Sequence, residues 1–277
     1  MTSPLVDADW LVSHISEEGA VIADARWYPD GSGRSKYEAG HIPGAIFVDV
    51  DVDLSGPKTP ETGRHPLPTP EAFASAMSRL GIGDETLVVA YDDAGDANAA
   101  RLWWMLDVIG HPVALLDGGL SAWPGPLETG PPPLRAAGSF TGRPWPEDAI
   151  ADAALVDRLR EDPSAVVLDA RAAERFRGET EPIDTVAGRI PGARSAPFAR
   201  NLDPATGRFL PAEQLREQYE ALGVGSADEV VAYCGSGVTS AHDVVAMRIA
   251  GYERPRLYVG SWSEWIRDPS RPIATGG

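Results

Sequence analysis

Short runs of β-branched and apolar residues recur along this chain, and segments with apolar residues at helical spacing separate them. The clearest runs are Val21-Ile22-Ala23, Val88-Val89-Ala90-Tyr91, Val166-Val167-Leu168 and Val230-Val231-Ala232-Tyr233. Such alternation predicts an α/β fold in which a mainly parallel sheet is flanked by helices. Residues 71–80 follow a Pro start and read as one helix. Residues 97–109 and 240–250 read as the helices after the two Val-Val-Ala-Tyr strands, each closed by a glycine, Gly110 and Gly251.

The pattern occurs twice. Val21 to Arg26 (Val-Ile-Ala-Asp-Ala-Arg) returns as Val166 to Arg171 (Val-Val-Leu-Asp-Ala-Arg), and Gly40-His41-Ile42-Pro43-Gly44-Ala45 returns as Gly188-Arg189-Ile190-Pro191-Gly192-Ala193. Leu80-Gly81-Ile82-Gly83 matches Leu222-Gly223-Val224-Gly225, and Trp123 matches Trp265. Matches kept in one order mean a tandem duplication. Between the copies, prolines from Pro124 to Pro146 are too dense for a helix or central strand. The expected organisation is an N-terminal domain over 1–128, a Pro-rich linker over 129–149 and a C-terminal domain over 150–277.

Bulk properties narrow the function. The chain has 277 residues, 43% of them hydrophobic and 23% charged, which suits two soluble globular domains. No apolar run approaches the ~20 residues of a membrane span, and Met1-Thr2-Ser3-Pro4 lacks the pattern of a signal peptide. The net charge of −17 argues against nucleic acid and acidic membranes as partners. A small anionic substrate would need a local positive cradle. The single cysteine excludes an internal disulfide framework and fits a reducing cytoplasm.

That cysteine, Cys234, ends a strand and opens the loop Gly235-Ser236-Gly237-Val238-Thr239 before a helix starting near Thr239 or Ser240. Backbone N–H groups and the positive end of the helix dipole there favour a thiolate over a thiol. A lone cysteine is more often a small core hydrophobe, but a strand end beside glycines and hydroxyls marks a nucleophile. At the matching place the first copy carries Asp92-Asp93-Ala94-Gly95-Asp96, so it is expected to be catalytically inactive. Metal binding by those acids lacks a neighbouring His or Cys ligand.

Taken together, Asp-Ala-Arg, Gly-His-Ile-Pro-Gly-Ala, the strand–Cys–loop–helix run and the Asp-Gly-Gly or Gly-Ser-Trp turn resemble the two-domain rhodanese family of sulfurtransferases. The loop Cys234-Gly235-Ser236-Gly237-Val238-Thr239 is most similar to the 3-mercaptopyruvate branch. The thiosulfate branch typically carries basic residues after its cysteine. The resemblance implies that Cys234 takes sulfur from a small anionic donor as a persulfide. A thiol, cyanide or a reduced-thioredoxin-type carrier then accepts it, with no metal and no organic cofactor. It implies a relay of Asp51, His65 and Ser236, with Arg175 as the substrate arginine and Gly235, Gly237, Val238 and Thr239 around the bound anion. Asp184 departs from the mercaptopyruvate pattern, which usually has a second arginine there; Arg189 offers possible compensation.

Three other readings compete. A Cys-x5-Arg phosphatase would need an arginine at position 240, where this chain has Ser240. A persulfide carrier without turnover shares the cysteine and its loop but has no need of Arg175, His65 or Asp51. A purely structural tandem domain would have no use for the intact loop.

Overall fold

A computed structural model of the protein describes residues 3–14, 19–253 and 255–276. Met1 and Thr2, part of the segment read above for a signal, lie outside the described residues. The chain divides into two compact units. Unit 1 comprises Met1–Gly56, Leu67–Trp145 and Pro204–Phe209; unit 2 comprises Pro57–Pro66, Pro146–Asp203 and Leu210–Gly277. A short segment of each copy is therefore counted with the other unit. Hydrophobic periodicity carries no sign of that exchange.

Unit 1 contains β1 (Leu5–Val6), α1 (Ala8–His14), β2 (Ala20–Asp24), α2 (Gly33–Ala39), β3 (Ile46–Phe47), α3 (Pro70–Arg79), β4 (Leu87–Tyr91), α4 (Ala99–Asp107), β5 (Val113–Leu116) and α5 (Gly119–Ala122). Its strands lie in the order β1-β5-β4-β2-β3, all parallel. In register, Ile22 faces Val89 and Ala23 faces Ala90. Helices cover the sheet, so the central strands are apolar apart from the buried Asp24 that ends β2, and Ile22, Tyr37, Ile42, Val89, Tyr91 and Leu116 share a buried cluster.

Unit 2 repeats the plan with β6 (Ile150–Ala151), α6 (Ala153–Leu159), β7 (Ala165–Asp169), α7 (Ala173–Phe176), β8 (Arg194–Ser195), α8 (Ala212–Ala221), β9 (Glu229–Tyr233), α9 (Ser240–Ile249), β10 (Arg256–Tyr258) and α10 (Ser261–Trp265). The order is β6-β10-β9-β7-β8, again parallel. Duplication extends to single atoms. The Tyr91 hydroxyl accepts from the Ile42 N–H at 3.1 Å in unit 1, and Tyr233 accepts from Ile190 at 3.1 Å in unit 2. Arg26 ties Asp24 to the Gly40 carbonyl, while Arg171 ties Asp169 to the Gly188 carbonyl.

Elements begin and end close to the expected places, and the differences have local causes. Thr69 caps α3 by accepting from the Ala72 N–H at 3.2 Å. Helix α4 starts at Ala99, two residues later than expected, because the N–H groups of Asn98 and Ala99 bind the Asp92 carboxylate. Gly110 and Gly251 follow their helices at φ +72° and +93°. The Pro-rich segment is extended, and its later part packs on α3. Phe140 and Trp145 flank Phe73 with ring centroids 5.8 and 5.2 Å away, and the Trp145 indole donates to the Pro68 carbonyl at 2.9 Å.

Candidate active site

Strand β9 delivers Cys234, and the first turn of α10 fixes its backbone. The Cys234 N–H donates to Ser261 Oγ at 3.1 Å, and its carbonyl accepts from the Trp262 N–H at 3.0 Å. The Gly235 carbonyl accepts from the Ser263 N–H at 2.9 Å. Ser261 sits at φ +53°, a conformation L-residues rarely adopt, and its hydroxyl donates to the Tyr258 carbonyl. The strand end is thereby held with little freedom.

The thiol is 1% exposed. Its sulfur accepts from the Gly237 N–H at 3.2 Å and from the Ser240 hydroxyl at 3.4 Å. Burial alone would raise the thiol's pKa, but hydrogen bonds from the Ser240 and Thr239 hydroxyls and from backbone N–H groups of Ser236 and Ser240 outweigh it and leave the pKa lowered. The positive end of α9, a ten-residue helix, adds to the same effect. Gly237 is required at its position: φ is +74°, and a Cβ there would run into the Val259 carbonyl. Val238 is buried and Thr239 precedes the first turn of α9.

Ser236, 7% exposed, places its Oγ 2.8 Å from Nδ1 of the buried His65. His65 belongs to the Pro57–Pro66 segment that unit 2 holds. Asp51 belongs to unit 1, where the Trp27 indole donates to its Oδ2 at 2.6 Å. Arg175 donates through Nε and Nη2 to Glu181 at 3.1 and 2.6 Å, and through Nη2 to Asp184 at 3.4 Å. Arg189 is engaged elsewhere: its guanidinium lies 4.4 Å over the Phe176 ring and donates to the carbonyls of Gly276 at 2.6 Å and Phe176 at 3.4 Å. Arg171 is buried in its pairing with Asp169.

In unit 1, Asp92 occupies the place that Cys234 holds in unit 2. Its Oδ1 accepts from the N–H groups of Ala94 and Asp96 at 2.7 and 2.8 Å, and its Oδ2 from Asn98 and Ala99 at 2.6 and 3.0 Å. One carboxylate thus fills this ring of donors. Asp93 turns to the Tyr28 hydroxyl instead. Asp96 is buried at φ +63°, and burial followed by the Asp92 and Asp117 charges holds its pKa well above the carboxylate range. Among the described residues no group of His, Cys, Asp or Glu is arranged to hold a metal ion.

Sequence reasoning missed two features. Arg64 precedes the chosen histidine and reaches Gly235, with only its charge to mark it. Behind the loop, Asp243 on α9 accepts from Asn201 Nδ2 at 2.8 Å, and Tyr219 donates to Asn201 Oδ1 at 3.1 Å. Nothing in their spacing joins those three.

Comparison with known proteins identifies the family. The sequence profile of the rhodanese-like domain matches residues 7–125 and again 152–268. A Pseudomonas aeruginosa protein named as a probable 3-mercaptopyruvate sulfurtransferase is 48% identical over 284 residues, covering 99% of each chain. The mitochondrial thiosulfate/3-mercaptopyruvate sulfurtransferase 1 of Arabidopsis thaliana is 34% identical over 98% of this chain and 78% of its own. The crystal structure of SseA from Escherichia coli, described as a 3-mercaptopyruvate sulfotransferase with the rhodanese fold, superposes with a TM-score of 0.80 at 33% identity, over 95% of this chain and all of that one. The chain belongs to the rhodanese family and carries its domain twice in tandem.

Proposed function

We propose that the protein is a sulfurtransferase that takes the thiol sulfur of 3-mercaptopyruvate and passes it on through a Cys234 persulfide. The observation that carries this reading is the seat of Sγ, with the Gly237 N–H and Ser240 hydroxyl aimed at it and its pKa lowered despite burial. The thiolate attacks the donor's sulfur, an S–S bond forms and the C–S bond breaks. The electron pair of the C–S bond leaves as pyruvate enolate, which takes a proton on carbon to give pyruvate. The new persulfide releases one proton, so the protons balance. Amide and hydroxyl donors that stabilise the thiolate serve the persulfide anion equally well.

Ser236 and His65 supply the proton. A hydroxyl 2.8 Å from an imidazole nitrogen can donate to the enolate and recover its own proton from the ring. Asp51 is the acid of this relay on the strength of the family resemblance. Arg175 binds the donor's carboxylate, and the loop from Gly235 to Thr239 surrounds the transferred sulfur. A thiol, cyanide or a reduced carrier protein then attacks the outer sulfur and restores the Cys234 thiolate. The single, reduced cysteine suits the cytoplasm as the site of action.

Thiosulfate is the second donor considered, because Asp184 stands beside Arg175 where a second positive charge would favour a carboxylate. Measuring kcat/KM for both donors on the wild-type protein and on Cys234→Ser tests the reading. The expected result is a higher value with 3-mercaptopyruvate and loss of transfer in the variant. A higher value with thiosulfate would reassign the donor, and activity surviving in Cys234→Ser would remove the persulfide.

A further inference from the structure

Arg64 lies in the Pro57–Pro66 segment of unit 2, and the turn that holds the nucleophile also holds Arg64. Its N–H donates to Ser263 Oγ at 3.0 Å. Gly63 is seated so closely that a Cβ would stand 2.9 Å from Ser263 Oγ and closer still to the Gly260 carbonyl. The backbone leading into the Arg64 side chain is therefore fixed against Gly260 and against Ser263, the residue whose N–H also holds the Gly235 carbonyl.

Its guanidinium reaches the residue next to the sulfur. Arg64 Nη2 lies 2.7 Å from the point where a Cβ on Gly235 would stand, and Arg175 Nη2 and Nη1 lie 3.5 and 3.8 Å from that same point. Two guanidinium groups converge on one spot. Asp184 joins them, with Oδ1 paired to Arg64 Nη1 and Oδ2 to Arg175 Nη2 at 3.4 Å. The Asp184 side chain is 5% exposed and that of Arg64 26%. A carboxylate already occupies the space between two arginines, the arrangement an incoming carboxylate would need.

We propose that Arg64 is the second guanidinium of the donor-anion site, acting with Arg175, and that Asp184 is a resident carboxylate that aligns the two and competes with the incoming anion. This assignment rests on the sulfurtransferase reading. It also accounts for a site that has an acid where the mercaptopyruvate pattern expects an arginine: Arg64 supplies that positive charge. Glu181 and Asp184 together offset the charges of Arg64 and Arg175, so removal of one acid should strengthen the grip on an anion rather than weaken it.

Steady-state kinetics on the full chain separate this role from a structural ion pair. Arg64→Ala should raise KM for 3-mercaptopyruvate about tenfold or more, with kcat changed less, because a lost charged hydrogen bond has that size. Arg64→Lys should recover part of the loss. Asp184→Asn should lower KM, whereas loss of a merely structural pair would raise it. Pyruvate protection of Cys234 against alkylation by iodoacetamide reads the same site without turnover, and the protecting concentration should rise about tenfold in Arg64→Ala. Failure of the wild type to turn over either donor would sink the sulfurtransferase reading, and the protection experiment would still judge Arg64. Wild-type KM and protection in Arg64→Ala, no pyruvate protection in the wild type, or a raised KM in Asp184→Asn would each overturn the proposal.

Discussion

His65 Nδ1 lies 2.8 Å from Ser236 Oγ, joining residues 171 positions apart in a buried contact within unit 2. The two donors ask different things of this pair. Pyruvate leaves as an enolate that needs a proton, whereas sulfite leaves thiosulfate as a stable anion that needs none. His65→Ala should therefore lower kcat with 3-mercaptopyruvate by about 100-fold, the lower end for a general acid, and affect thiosulfate far less. Equal losses with both donors would contradict a proton-transfer role for the pair.

The lowered pKa of Cys234 sets the pH dependence. Alkylation follows the thiolate fraction, so its rate should reach half-maximum below the ~8.5 of a free thiol. Ser240→Ala removes a hydroxyl donor and should shift that midpoint upward. Stability follows the same sign. Between the folded and unfolded pKa values the unfolded chain binds more protons, so stability rises with pH through that window. The advantage of wild type over Cys234→Ala, read from urea midpoints, should be full above ~8.5 and disappear as pH falls through the folded value.

Gly237→Ala should lose both stability and activity. The left-handed φ of +74° and the clash with the Val259 carbonyl act together, and backbone strain of this kind costs about 1–3 kcal/mol. Denaturant titration measures the stability, and donor turnover should fall with it as the Gly237 N–H moves away from Sγ. A fully stable, fully active variant would mean the loop is not held as described.

Asp92→Ala should destabilise unit 1 while sparing the chemistry. It strips the acceptor from four backbone N–H groups, and a buried donor left unsatisfied costs about 1–3 kcal/mol. A lower unfolding midpoint with kcat unchanged at low temperature is the expected outcome. A collapse of kcat in protein that remains folded would give the Asp92 loop itself a part in catalysis.

Much of this arrangement can be read from the chain because both copies use the same devices. The Val-Val-Ala-Tyr runs lie in β4 and β9, each parallel to its neighbours and apolar along its length. The cysteine loop is local in sequence, so a strand end, two glycines and a following helix were enough to place the thiol among amide donors. What could not be read depends on long-range contacts. Periodicity does not reveal that Pro57–Pro66 clusters with unit 2 or that Pro204–Phe209 clusters with unit 1. Arg64 is one charge among many until Ser263 and Gly63 fix its backbone. Arg189 shows the converse. The repeat aligned it with His41, yet its guanidinium binds the carbonyls of Gly276 and Phe176.

The central claim is that the Cys234 sulfur carries a second sulfur between two small molecules. Intact and peptide mass spectrometry after incubation with excess 3-mercaptopyruvate, or with thiosulfate, tests it most directly. The account predicts an adduct of about 32 Da on the peptide containing Cys234, removed by cyanide or a thiol and absent in Cys234→Ser. An unmodified peptide with both donors, from protein that still turns over either of them, would contradict it.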